Sequence, residues 1–406
     1  MSPRLPAGGP APADGRLPAA AVAGLQDAPL GVYVHVPWCA ARCGYCDFNT
    51  YVPPAGALPD LGARFTRAAR AELGLAARVL ARPDRPARPV ETLFLGGGTP
   101  SLLEPEVLGA VVAAVRDTLG LAPDAEVTCE CNPESVDRER LERLRAVGVT
   151  RVSFGMQSAR GHVLAALERR HDPERPLRAV AEARAAGIDA IGLDLIYGAD
   201  GETDDDWRAS LRAAIDAGPD SISAYALTVE AGTRYAAHVR RGTRRAPDDD
   251  VLGRRYAEAD RLLGAAGYDW YELSNWARTS QGVCRHNVAY WEGGSWWGVG
   301  PGAHSHVGGV RWWNVLRPEA WFAALDAGRS PAAGRESLGP GERDLEALMT
   351  RIRRPLGVGV DAAQAERARE LVTAGLADPG ALSSGRVALT AAGRPVADSV
   401  VRHLVG

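Results

Sequence analysis

The chain has 406 residues, is 46% hydrophobic and 24% charged, and carries a formal net charge of −3. That composition excludes disorder over most of its length, and the charge balance leaves no global basic field to hold nucleic acid. All 47 basic residues are arginine, which we read as compositional bias and not as function.

Residues 1–30 are rich in Ala, Pro and Gly and lack a basic stretch before an apolar core, so they are expected to form a flexible tail and not a secretory signal. No run of about 18 apolar residues occurs, so no spanning helix is expected. Gly31–Val36 alternates, with Val32, Val34 and Val36 on one face and Tyr33 and His35 on the other, which predicts a strand. Short strands are expected at 92–95, 126–131, 151–154, 188–197 and 221–227. Helical spacing fills 61–82, 105–119, 136–147, 174–186 and 204–217. Six β-α units predict an α/β fold with a parallel sheet and outer helices. A partial (βα)6 barrel over 31–230 fits better than a doubly wound sheet. Polar residues at the strand ends support it: Cys39, Cys43 and Cys46, then Gly96–Thr99, Glu130, Gln157, Asp194 and Tyr225. In βα barrels the site is built at that rim. An Arg-rich, then acidic stretch at 234–248 reads as a solvated connection, followed by a helix at 249–266 and a Trp-, Gly- and His-rich segment at 268–314. A covering extension is assigned to 231–335. A small, mainly helical domain with a hairpin at 385–390 is assigned to 336–406.

Six cysteines are too few and too clustered for a disulfide framework. They point to a metal or cluster site in a reducing, cytoplasmic compartment; peripheral membrane contact stays open. Cys39, Cys43 and Cys46 form a CxxxCxxC loop directly after a strand. Three thiolates can hold three irons of a [4Fe–4S] cluster and leave the fourth open to another ligand. Structural zinc usually takes four ligands in paired spacings, and no second pair exists here, so the cluster is favoured. Gly97, Gly98 and Thr99 form either a strand-to-helix turn or a cradle where backbone approaches a ligand. Glu130, between Cys129 and Cys131, and Asp194, between Leu193 and Leu195, are placed facing the lumen, where a buried carboxylate needs a partner.

With Tyr33-Val-His-Val-Pro-Trp-Cys39 and the CxxxCxxC loop, the sequence resembles the radical S-adenosylmethionine (SAM) superfamily, in its oxygen-independent coproporphyrinogen oxidase-like branch. Gly96-Gly-Gly-Thr-Pro-Ser101, Glu130-Cys-Asn-Pro133, Phe154-Gly-Met-Gln-Ser158, Asp194-Leu-Ile-Tyr-Gly198 and Leu389-Thr-Ala-Ala-Gly393 match that branch in order. The resemblance implies that SAM chelates the open iron and that a reduced cluster splits it to a 5′-deoxyadenosyl radical. It implies that Tyr33, Gly97, Gly98, Thr99, Glu130, Gln157, Arg169 and Asp194 contact SAM; Arg169 is placed only by its spacing after Gln157.

Authentic oxidases of this branch carry a fourth cysteine, as CxxxCxxCxC, where this chain has Phe48, and a longer N-terminal region. Both departures resemble the HemW-type haem chaperones. So does the HNxxYW string from His286 to Trp291. A smaller departure is Gly198-Ala-Asp-Gly201, where the branch reads Gly-Leu-Pro-Gly. The resemblance implies a carrier of haem that passes it to acceptor proteins, with an electron donor such as a flavodoxin or ferredoxin. The alternative is oxidative decarboxylation of coproporphyrinogen III, and no residue is assigned a catalytic role. His286 is the first expected haem ligand, ahead of Cys284 and His304. A packing loop is an equal reading of that segment.

Overall fold

A computed structural model describes residues 5–26, 29–82 and 88–406. Six strands, β1 (Leu30–Val36), β2 (Val90–Gly97), β3 (Leu121–Cys131), β4 (Arg151–Gln157), β5 (Ala190–Tyr197) and β6 (Ser221–Ala226), lie side by side and parallel. Their outward residues are apolar and sealed: Val32, Val34 and Val36 are buried under the helical layer. Helices Leu58–Leu80, Pro105–Leu119, Arg138–Ala146, Arg175–Ala185 and Asp204–Ala217 occupy the outside. The last of these shows how tightly local sequence sets the boundaries. It opens with a capping box between Thr203 and Asp206 and stops at Gly218 in a left-handed conformation. These observations bear out the α/β fold with a partial parallel barrel.

Six further strands enlarge the sheet: β7 (Asp269–Glu272), β8 (Asn275–Ala277), β9 (Ser295–Val299), β10 (His304–Val307), β11 (Val310–Asn314) and β12 (Ala332–Ser337). β9 pairs parallel to β1, and β10, β11 and β12 follow outward as an antiparallel ribbon. β8 and then β7 add antiparallel beyond β6. The spatial order is β12-β11-β10-β9-β1-β2-β3-β4-β5-β6-β8-β7, so the sheet does not close. Its two flanks face each other across a lateral cavity of about 870 Å³, with Tyr225 and Asn275 on one side and Ser295, Trp296 and His306 on the other. Helix Pro340–Arg351 covers this opening through Arg343, Ala347 and Arg351.

Residues 5–26 belong to the segment expected to be a flexible tail, yet they pack onto this assembly. Gly9 pairs with Arg335 of β12 through two 2.9 Å backbone hydrogen bonds. Leu17, Ala21, Val22 and Leu25 join the main core. A few apolar side chains spaced along an Ala- and Pro-rich segment suffice for docking, and bulk composition conceals them.

One buried carboxylate ties the added strands to the barrel. Glu72, on helix Leu58–Leu80, accepts hydrogen bonds from Gly300 N (2.9 Å), Asn314 Nδ2 (2.7 Å) and Trp321 Nε1 (2.8 Å). Burial pushes its carboxyl up to about 7. Glu72→Ala leaves the Gly300 N–H and Trp321 Nε1–H without an acceptor, each a loss of about 1–3 kcal/mol, and strips Asn314 Nδ2 of one of its two acceptors, Gly300 O remaining. The variant is expected to lose roughly 3–5 kcal/mol in chemical denaturation, and Glu72→Gln less. Equal midpoints for Glu72→Ala and the wild type would remove this role.

The C-terminal segment has its own core, in which Leu348, Ile352, Leu371, Val387, Val400 and Leu404 are buried. Arg386–Val387 pairs with the distant Val358–Gly359 and does not form the local hairpin expected at 385–390. Gly385, with positive φ, follows helix Pro379–Ser383 directly, so its turn follows a helix and joins no two strands. Among the described residues no helix is long and apolar enough to cross a membrane.

Candidate functional site

The loop after β1 brings Cys39, Cys43 and Cys46 to the C-terminal rim of the barrel, and all three are free thiols. Backbone bonds hold the loop: Cys39 N donates to Tyr51 O (3.0 Å), Gly44 N to Leu167 O (3.2 Å) and Tyr235 N to Gly44 O (2.9 Å). A Cβ on Gly44 would sit 2.8 Å from the Glu168 carboxyl group, so any larger residue there displaces that side chain. The three cysteines line a cavity of about 160 Å³ together with Gly97, Gly98, Thr99, Glu130, Gln157, Arg169 and Asp194. Ten residues expected to serve cluster and SAM are thus brought together from five strand ends and their loops.

Each polar group in this cavity is aimed by its strand. Glu130 on β3 accepts a hydrogen bond from Gly97 N (3.0 Å), while the Cys129 and Cys131 side chains are buried in the core. Burial, reinforced by the charge of Asp194, pushes the Glu130 carboxyl up to about 7. Asp194 on β5 accepts from Ser153 Oγ (3.0 Å), and burial raises its carboxyl too. Gln157 sits at φ +58°, rare for a residue with a side chain, where the β4–β5 pairing slips by one residue. The bulge turns Gln157 into the cavity, and its buried Oε1 has no protein partner. Arg169, placed by spacing alone, donates Nη1 to Cys43 Sγ (3.4 Å) and Nη2 to Gly155 O (3.3 Å). Burial pushes the Cys46 thiol up to about 11 and raises Cys39 as well. Those protons must leave when iron binds.

The geometry fits a thiolate-held cluster. Among the described residues no group of three or more His, Cys, Asp or Glu side chains could hold a single metal ion. The three thiols nevertheless surround one shared cavity that an orphaned amide oxygen also faces. That is a donor set for a polynuclear group with a polar ligand beside it.

The glycines that line the cavity are also required by the fold itself: a Cβ on Gly97 would lie 2.4 Å from the His35 ring, and one on Gly98 would lie 2.6 Å from Trp38 O. The amides of Gly98 and Thr99 are already spent on Val36 O and Trp38 O. Tyr33 does not share the cysteine cavity. It lines a neighbouring cavity of about 380 Å³ with His35, Phe48, Tyr290, Trp296 and His304, and its hydroxyl bonds His35 Nδ1 (3.0 Å).

His286 reaches none of these cavities. It is buried over Phe94, with Nδ1 bonded to Thr92 Oγ1 (2.8 Å) and Nε2 to Tyr290 Oη (2.8 Å). Glu126 fixes it further by accepting from the backbone N of Arg285 (3.0 Å) and His286 (3.1 Å). Burial lowers its imidazole to about 3. Both ring nitrogens are occupied, so in this arrangement His286 offers iron no lone pair. Cys284, also buried, is turned to Glu126. His304 differs: it is exposed and lines the 380 Å³ cavity. Among the site residues that sequence reasoning missed are Thr50, Asn132 and Ser153; the inward position of Ser153 follows from the alternation of β4.

The sequence profile of the radical SAM superfamily matches residues 33–214. The chain is 50% identical over 390 residues to a protein of Mycobacterium tuberculosis named heme chaperone HemW, covering 95% of this chain and 97% of that one. It is 36% identical over 283 residues to heme chaperone HemW of Escherichia coli, 69% of this chain and 70% of the relative. Among solved structures, coproporphyrinogen III oxidase (HemN) of Escherichia coli superposes with a TM-score of 0.79 at 22% identity, over 95% of this chain and 92% of that one. That likeness establishes the shared fold. The chain carries a radical SAM domain over residues 33–214 and, over nearly its whole length, belongs to the HemW family.

Proposed function

We propose that the chain is a haem chaperone, which binds a [4Fe–4S] cluster, SAM and haem and delivers haem to acceptor proteins in the cytoplasm. Cys39, Cys43 and Cys46 hold the cluster, and Glu130, Gln157, Arg169 and Asp194 hold the polar groups of SAM. When bound, the reduced cluster supplies an electron to SAM; a flavodoxin- or ferredoxin-like donor replenishes it. The protein's part is to orient both ligands and exclude water.

The observation that carries this reading is Phe48. It is 55% exposed and lines both the cysteine cavity and the 380 Å³ cavity. The oxidases place an additional cysteine at this position. Here an aromatic plate stands there instead, beside a cavity walled by Tyr290 and Trp296, which suits the flat face of a porphyrin. Identity to HemW relatives over nearly the whole chain supports the same reading.

The test is anaerobic reconstitution followed by parallel assays. The wild type is expected to bind haem and to leave coproporphyrinogen III unconverted. Turnover of coproporphyrinogen, with haem binding no stronger than to an unrelated protein, would replace the carrier by the enzyme. His304→Ala is expected to change the haem absorption spectrum, since a neutral imidazole open to a cavity is a suitable iron ligand. His286→Ala is expected to loosen the barrel floor and leave the spectral type unchanged. The reverse pattern would return the ligand role to His286.

A further inference from the structure

We infer that the lateral cavity between the two sheet flanks seats a tetrapyrrole, with Arg343 and Arg351 pairing its carboxylates. This rests on the haem reading above and goes beyond it in placing the plate across the Tyr290–Trp296 boundary, its iron toward His304 in the 380 Å³ cavity and its carboxylate edge in the larger one. At about 870 Å³ the cavity falls in the range of sites for large organic ligands. It is separate from the cysteine cavity and meets the 380 Å³ cavity through Tyr290 and Trp296, which line both. Trp291 and Tyr225 add two more aromatic rings to its wall. Haem is a flat apolar plate with two carboxylates at one edge. An aromatic wall with cations at one rim complements both properties.

The cations are placed by helix periodicity. Arg343, Ala347 and Arg351 stand at i, i+4 and i+8 on helix Pro340–Arg351, so one face of that helix roofs the cavity. Nearby arginines are neutralised: Arg311 pairs with Glu336 and Glu346, Arg353 with Asp398, and Arg354 with Glu292. Arg343 and Arg351 have no carboxylate partner among the described residues; Arg351 donates only to the backbone carbonyl of Glu292 (3.2 Å). Among the described residues the acidic groups of the cavity form no ion pair with them: Glu346 is held by Arg311, Glu272 is hydrogen-bonded to Asn275, and Asp344 is unpaired. Two unpaired guanidinium groups on the roof of an aromatic cavity point to an anionic, planar ligand.

The experiment titrates full-length, cluster-loaded protein with haem and with haem dimethyl ester, following absorbance. The Arg343→Gln, Arg351→Gln double variant is expected to bind haem roughly tenfold more weakly. It is expected to bind the ester as the wild type does, because the ester has no charge to lose. Ala347→Phe, which fills the cavity from its roof, is expected to weaken both ligands while leaving cluster content unchanged. Wild-type haem affinity in the double variant and in Ala347→Phe would overturn this seat and leave the chaperone reading standing. Failure of the wild type itself to bind haem would overturn the chaperone reading, and this seat with it.

Discussion

Cys43→Ser, reconstituted with iron and sulfide in the absence of oxygen, is expected to hold almost no cluster, against about four irons per chain in the wild type. One loop supplies three of the cysteines at the cavity, so losing one leaves that loop with two. Cys131 also borders the cavity, but it is buried and its thiol is turned back to Cys129 O (3.5 Å); Cys129 is buried in the core, and Cys284 is sealed against Glu126. Cys39→Ser and Cys46→Ser should match Cys43→Ser. Cys129→Ala, Cys131→Ala and Cys284→Ala should retain the cluster, though each creates a small void. The middle cysteine is the most informative because Arg169 donates to its sulfur. Full iron and sulfide content in Cys43→Ser would disprove the assignment, and one zinc per chain in place of iron would revive a structural site.

SAM binding is expected to strengthen roughly tenfold between pH 6 and pH 8, a window set by Glu130. Burial and the charge of Asp194 hold its carboxyl near 7, above the ordinary carboxylate range. Below that value Glu130 is protonated and neutral; above it the group is ionised and attracts the cationic sulfonium and ammonium groups of SAM. The sign is therefore tighter binding at higher pH. Glu130→Gln keeps an acceptor for Gly97 N–H and removes the charge, so its binding should be weak and flat with pH. Asp194→Asn should lower the pH at which wild-type binding rises, because it removes the negative neighbour that raises Glu130. Equilibrium dialysis across that range checks all three. A flat wild-type profile would place the ligand away from Glu130.

The parallel barrel was legible because its strands carry a plain code. Val32, Val34 and Val36 alternate with Tyr33 and His35, and each strand ends in residues that no buried sheet needs. The added strands carry no such code. β9 reads Ser-Trp-Trp-Gly-Val and β11 reads Val-Arg-Trp-Trp-Asn, with tandem tryptophans that break a two-residue period. β9 lies parallel to β1 on one side, and on the other β10 comes so close that Gly298 is needed: a Cβ there would lie 2.3 Å from His304 O. Such an approach exists only after folding and leaves no local signature. The same holds in the site. Residue type and spacing picked out the cysteines, Glu130, Gln157 and Asp194, but could not show which way His286 turns. Its direction depends on Thr92, nearly two hundred positions away in the chain.

The N-terminal strap has a practical consequence. Leu5 reaches the wall of the 380 Å³ cavity, and Gly9 occupies the outer edge of β12. β12 is the last strand on its side of the sheet. Trimming the chain to the first strong strand, a natural choice when a segment looks unstructured, would free the Arg335 N–H and C=O that Gly9 pairs and lay that edge open. Bare edges of that kind recruit strands from other molecules. An oligomeric state measured on such a shortened protein would report its severed edge and say little about how the intact molecule associates.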